Sequence, residues 1–76
     1  SEYRASFYLI PPRDTDRRAL WNEMRTLFAA HHGEHPVYVR SDGRWRQLEE
    51  HHWIDGSAAV RRELTQLMGE SAVKIR

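Results

Sequence analysis

The chain has 76 residues, of which 39% are hydrophobic and 30% are charged, and its formal net charge is +1. This length holds one small core, no apolar run reaches the roughly 20 residues that span a bilayer, and the charge gives no global attraction to nucleic acid. The absence of cysteine excludes disulfides, thiolate metal sites and cysteine nucleophiles. We expect residues 1–76 to form a single cytoplasmic domain with no membrane partner. The start at Ser1, without a methionine, predicts a piece of a longer chain.

In chain order, residues 3–10 are rich in aromatic and β-branched side chains, which predicts a strand that Pro11 ends. The polar residues 14–16 offer N-cap oxygens to a first helix. This helix has an apolar stripe at positions i, i+4, i+7 and i+8, formed by Leu20, Met24, Leu27 and Phe28. Gly33 is the expected residue that ends it.

The second half begins with a predicted strand over residues 37–40, in which the two valines point to one face. Asp42-Gly43 predicts a type I′ hairpin turn, because both of its positions need positive φ. Residues 44–48 should return antiparallel, and residues 52–54 form a possible short strand.

A second helix follows, and either Asp55 or Ser57 should cap it. Gly69 should end this helix, and the alternation of Val73 and Ile75 predicts a last strand. Its apolar stripe repeats the spacing of the first helix and consists of Val60, Leu64, Leu67 and Met68.

These elements predict an α+β domain of order β-α-β-β-(β)-α-β. Two helices should pack on one face of a small mixed sheet of four to five strands, with right-handed crossovers between parallel strands. The opposite face of the sheet is then left open.

The hairpin turn determines which side chains lie on that open face. A two-residue turn at Asp42-Gly43 places Arg40 opposite Trp45 and Tyr38 opposite Gln47. If Phe7 and Leu9 point toward the helices, Tyr8 lies on the open face. The predicted partner-binding residues are therefore Tyr8, Tyr38, Arg40 and Trp45.

This aromatic and cationic patch has four interpretations. Trp, Tyr and Arg are enriched in the hot spots of protein interfaces, which favours a protein partner. Single-stranded nucleic acid would instead stack its bases on the rings, although the usual basic-Gly-aromatic-Gly motif of RNA-recognition domains is missing. The purely structural interpretation is a cross-strand cation–π pair that stabilises the hairpin. A fourth possibility is an oligomerisation or regulatory domain, whose open face pairs with itself.

Catalytic chemistry has no support in the sequence. We find no nucleophile with a base, no oxyanion hole and no glycine-rich phosphate loop, so we expect no catalytic residue and no cofactor. The five histidines lie at residues 31, 32, 35, 51 and 52, and their spacing matches no zinc signature, so we expect no metal.

The order of these segments resembles the C-terminal domain of the bacterial DNA polymerase III alpha subunit, the replicative polymerase. The resemblance is carried by FYLI at 7–10, LFAAHHGEHPVYV at 27–39, Trp-Ile-Asp at 53–55, ELTQLMG at 63–69 and SAVKI at 71–75. It covers nearly the whole chain, and it falls on apolar, glycine and turn positions rather than on catalytic ones.

The resemblance implies that this is the C-terminal fragment of a DNA-directed DNA polymerase and is not an enzyme by itself. In that family the segment follows an OB-fold region, and the catalytic carboxylates lie far upstream. The resemblance also implies a replisome partner, the tau subunit of the clamp loader. No contact residue can be transferred, because the family has no short tau-binding motif to match.

Overall fold

A computed structural model describes residues 4–76, so Tyr3 of the predicted first strand lies outside the described residues. Within residues 4–76, two α-helices and five strands follow one another. Their bounds are β1 Phe7–Leu9, α1 Arg17–Ala30, β2 His32–His35, β3 Val37–Ser41, β4 Arg44–Gln47, α2 Ala58–Met68 and β5 Val73–Ile75. Short 3-10 helices cover Glu50–His52 and Glu70–Ala72.

Four of the strands form one mixed sheet in the order β4-β3-β1-β5. β1 runs parallel to β3, whereas the other two pairs are antiparallel. The buried residues of both helices form one cluster with Phe7, Leu9 and Val37, so both helices cover the same face of the sheet. The predicted α+β architecture is confirmed.

The hairpin between β3 and β4 has the predicted geometry. Asp42 and Gly43 have φ of 51° and 75°, as a type I′ turn requires. The observed register pairs Arg40 with Trp45 and Tyr38 with Gln47. Every other side chain on these strands therefore points away from the helices.

The first helix ends differently from the prediction. Asp16 caps its start by accepting hydrogen bonds from the backbone N–H groups of Arg18 and Ala19. The helix ends at Ala30, and Gly33 lies within β2 without a positive φ. A Cβ on Gly33 would lie 2.4 Å from the Cα of Asp55, so a close backbone approach, and not helix termination, requires glycine there.

The structure also corrects most of the strand that was predicted at residues 52–54. Glu50–His52 form a 3-10 helix, and only Ile54 makes isolated antiparallel bridges, to His32 and His35 of β2. The backbone N–H of Gly33 donates to the carbonyl of Trp53 at 3.0 Å. This pairing outside the main sheet holds the fully buried Ile54 in the core.

Both residues proposed as caps act at the start of α2. The backbone N–H of Val60 donates to Ser57 Oγ at 3.2 Å, and that of Ser57 donates to Asp55 Oδ1 at 2.9 Å. Gly69 ends the helix with a φ of 97°. Among residues 4–76, no helix is long and apolar enough to cross a membrane.

Candidate functional site

The sheet brings the four predicted patch residues together on the face opposite the helices, which we call the outer face. Tyr8 lies opposite Tyr38 in the register of β1 and β3, and their rings stack with centroids 4.6 Å apart and planes 4° apart. Trp45 meets the Tyr8 ring edge-on at 5.2 Å. The guanidinium of Arg40 lies 5.3 Å from the Trp45 ring centroid.

Three further residues belong to this cluster: Gln47, which the sequence already places on this face opposite Tyr38, and Arg76 and Lys74, which were not predicted. The guanidinium of Arg76 lies 5.6 Å from the Tyr8 ring, and Lys74 pairs with Tyr8 across β5 and β1. The Gln47 side-chain amide donates to the Tyr38 hydroxyl at 3.1 Å. The alternation of Val73 and Ile75 already placed Lys74 on the opposite face, but local pattern does not reveal that β5 lies beside β1.

The outer face is positively charged. Arg40, Lys74 and Arg76 surround the rings, and the four strands of the sheet contain no acidic residue. The ion pairs within residues 4–76 lie elsewhere and do not involve these three cations. An anionic group that approaches this face would meet cations free of carboxylate partners in the described part of the chain.

The cluster is both pre-organised and exposed. Each close aromatic contact contributes roughly 0.5–1.5 kcal/mol beyond the buried area, so the contacts stabilise the hairpin and hold the rings in one arrangement. Trp45 nevertheless remains 41% exposed, which is unusual for so large an apolar side chain. A ring that is already ordered loses little side-chain entropy when it binds.

The side of the hairpin that faces the helices has a second feature. A cavity of about 500 Å³ opens between α1 and the hairpin. Its apolar wall is formed by Trp21, Val39 and Leu48, all three packed against the edge of the core, and Arg46 lies at its rim. The cavity adjoins β4, whose four residues are all exposed.

Two of the histidines make contacts that join elements of the fold. His31 joins the end of α1 to α2, with Nε2 2.7 Å from Glu63 Oε2 and Nδ1 3.8 Å from Asp55 Oδ2. His35 Nδ1 lies 2.8 Å from the carbonyl oxygen of Ala5. Among residues 4–76, no group of three or more His, Asp or Glu side chains is arranged to hold a metal ion.

Within the described residues 4–76, two titratable groups have clearly shifted pKa values, and both lie on the helix side of the molecule. Burial lowers the pKa of His52, and the neighbouring His51 lowers it further. The His52 ring packs edge-on against Trp21, with centroids 5.3 Å apart. The hydrogen bond from the backbone N–H of Ser57 lowers the pKa of Asp55. Neither group lies near the outer face, so neither bears on binding there.

Comparison of the chain with protein-family models, with curated proteins and with solved structures finds no match. Function must therefore be inferred from the site itself and from the resemblance described above. The residues of the outer face offer aromatic surface, hydrogen-bonding groups and positive charge. These groups are suited to binding a partner.

Proposed function

We propose that this domain is a non-catalytic binding module that docks a protein partner through its outer face. The observation that carries the proposal is the exposed indole of Trp45, held between Arg40 and Tyr8. Trp, Tyr and Arg dominate the energetics of protein interfaces, particularly when they lie near the centre of a contact. A fixed cluster of all three on an open sheet face has the composition of a hot spot.

The arrangement of the rings favours a protein partner over stacked bases. Tyr8 already contacts Tyr38, Trp45 and Arg76. A base that stacked on Tyr8 would have to displace one of these contacts, whereas base-stacking platforms normally offer a free ring face. A protein side chain can instead pack against the exposed ring edges without rearranging the cluster.

For the identity of the partner, we propose the tau subunit of the clamp loader in the cytoplasmic replisome. The support for this assignment is the resemblance to the C-terminal domain of the polymerase III alpha subunit. The parent protein would then be a DNA polymerase, and this domain would hold it to the replication machinery. Self-association is disfavoured, because two outer faces would oppose Arg40, Lys74 and Arg76 to their own copies.

Single-stranded DNA is a second candidate, and the positive charge of the outer face favours it. Phosphate contacts make affinity fall steeply with rising salt, because binding releases counterions. Parallel titrations with tau and with an oligothymidine therefore separate the two candidates.

Calorimetric titration with the C-terminal part of the matching tau subunit tests the proposal. We expect saturable binding with a negative heat-capacity change, as burial of apolar surface produces. Trp45→Ala should weaken binding by more than about 1 kcal/mol, a roughly fivefold loss. Arg61→Ala, on the exposed side of α2, is the matched control and should leave affinity unchanged.

Two results would contradict the proposal. Unchanged affinity of a folded Trp45→Ala variant would move the interface away from the outer face. No heat with tau at high concentration, together with salt-sensitive binding of an oligothymidine, would favour the nucleic-acid function instead.

A further inference from the structure

Strand β4 forms one edge of the sheet, and no strand among residues 4–76 pairs with its outer side. All four of its residues, Arg44–Gln47, are exposed. Natural proteins usually cover or block such edges, because their free N–H and C=O groups can pair with another chain. The β4 edge therefore offers unpaired backbone groups to a partner strand.

The hydrogen-bond pattern between β3 and β4 shows which backbone groups of β4 point toward the open edge. The N–H of Leu48 donates to the carbonyl of Val37 at 2.9 Å. Hydrogen-bonded and non-hydrogen-bonded pairs alternate in an antiparallel ladder, so Arg46 also faces β3 with its backbone groups. The N–H and C=O groups of Trp45 and Gln47 are consequently directed toward the open edge.

The side chains beside this edge differ on the two faces of the sheet. Trp45 and Gln47 lie on the outer face, whereas Arg46 lies at the rim of the cavity on the helix side. A strand added to β4 would point alternate side chains to the two faces. One set would reach the aromatic cluster, and the other would reach the apolar wall formed by Trp21 and Val39.

Charge selects the kind of strand that fits. Arg40, Arg44 and Arg46 belong to the hairpin, and the acidic residues beside them are Asp42 in the turn and Glu49 in the lining of the helix-side cavity. No ion pair within residues 4–76 engages these arginines. Pairing of β4 with β4 of a second copy would bring the arginines of both copies together, and like charges on paired strands are destabilising. An acidic strand would gain from the same charges.

We propose that β4 is a strand-addition site for an extended, acidic segment of a partner protein. The segment would hydrogen-bond to the backbone of Trp45 and Gln47 and alternate carboxylate with apolar side chains. This inference rests on the proposed function, since Trp45 belongs to both the outer face and the edge. It adds the chemistry of the partner segment and its main-chain mode of recognition.

A proline substitution tests the main-chain contact directly. Gln47→Pro removes the N–H directed at the open edge, and proline is tolerated on edge strands where the N–H faces solvent. Gln47→Ala is the matched control, because it removes the same side chain and keeps the N–H. The probe is a peptide selected on the wild-type protein from a displayed library of random extended peptides.

We expect the selected peptides to be acidic, with carboxylates alternating with apolar residues. Gln47→Pro should bind at least about tenfold more weakly than Gln47→Ala, the scale of leaving a buried carbonyl of the partner strand unpaired. Amide exchange supplies a measurement that needs no variant. The amides of Trp45 and Gln47 should become protected only in the complex, whereas that of Arg46 should be protected in the free protein.

Several outcomes would overturn the inference. These are equal affinity for the proline and alanine variants, unprotected amides at 45 and 47 in the complex, selected peptides without acidic residues, or no selected peptide at all. Concentration-dependent dimerisation with protected amides at 45 and 47 would also overturn it, because β4 would then pair with a second copy of the chain. If these tests fail while Trp45→Ala still weakens tau binding, docking on the outer face stands and only strand addition is lost.

Discussion

One face of the sheet is covered by both helices and the other is open, although both faces come from the same short strands. In β1, Phe7 and Leu9 are 1% and 0% exposed, and they pack into the core under α1 and α2. Tyr8, between them, points outward and stacks on Tyr38. Adjacent residues of one three-residue strand thus have different roles: Phe7 and Leu9 stabilise the fold, and Tyr8 belongs to the proposed binding face.

The contacts on the two faces also differ in kind. The covered face joins residues far apart in sequence, such as Phe28 of α1, Ile54 and Leu64 of α2. The open face is built from cross-strand neighbours with aromatic and cationic side chains. Substitutions on the covered face should therefore reduce stability, and those on the open face should mainly reduce binding.

The largest expected effect comes from a pair of substitutions at adjacent positions. Phe7→Ala should lower the free energy of unfolding by about 3–5 kcal/mol, because it leaves a cavity in the core. Tyr8→Ala should lower it by only about 1 kcal/mol, the scale of its aromatic contacts. Chemical denaturation of both variants measures the difference. Similar losses for the two would mean that the outer cluster is part of the structural core.

A second pair of substitutions, both of glycine to alanine, tests the close contact between β2 and residues 53–55. Gly33→Ala places a Cβ against the backbone of Asp55 and should destabilise the protein by about 3 kcal/mol, the upper end of the range for overpacking. Gly43→Ala, in the hairpin turn, meets nothing within 4 Å and carries only the penalty of its φ of 75°, about 1–2 kcal/mol. Thermal unfolding ranks the two. A milder effect at Gly33 than at Gly43 would refute the close approach.

The smallest expected effect is a pH dependence of the folding stability, which arises from His52 on the helix side of the molecule. Burial lowers the pKa of His52 in the folded state, whereas in the unfolded chain it stays near its ordinary value of about 6.5. As the pH falls through that value, the unfolded state binds the proton more readily and the protein loses stability. Denaturation of wild type and His52→Gln between about pH 7.5 and pH 5.5 isolates the effect. Parallel curves would show that His52 does not contribute.

The outer face could be predicted from the sequence because its geometry depends on a local signal. Asp42-Gly43 defines the turn, the turn defines the register, and the register places Arg40 beside Trp45. The alternation of strand residues then adds Tyr8 once Phe7 and Leu9 are assigned to the core.

The features that were missed depend on contacts between distant segments. Gly33 has the spacing of a helix terminator, but its role is set by Asp55, which lies far along the chain. The bridges of Ile54 to β2 and the position of β5 beside β1 are likewise non-local. Periodicity reports which face a residue is on, whereas strand order depends on tertiary packing.

The three tryptophans provide the most direct test of the central claim, because each reports on a different region. Trp45 lies on the outer face, Trp21 lies beside the helix-side cavity, and the indole N–H of Trp53 donates to the carbonyl of Leu48 at 2.9 Å. We would follow the three indole N–H signals by NMR during titration with the C-terminal part of the tau subunit. Docking on the outer face predicts a large shift at Trp45 and a much smaller one at Trp53. A shift confined to Trp21 or Trp53, or no shift at any indole at saturating tau, would contradict it.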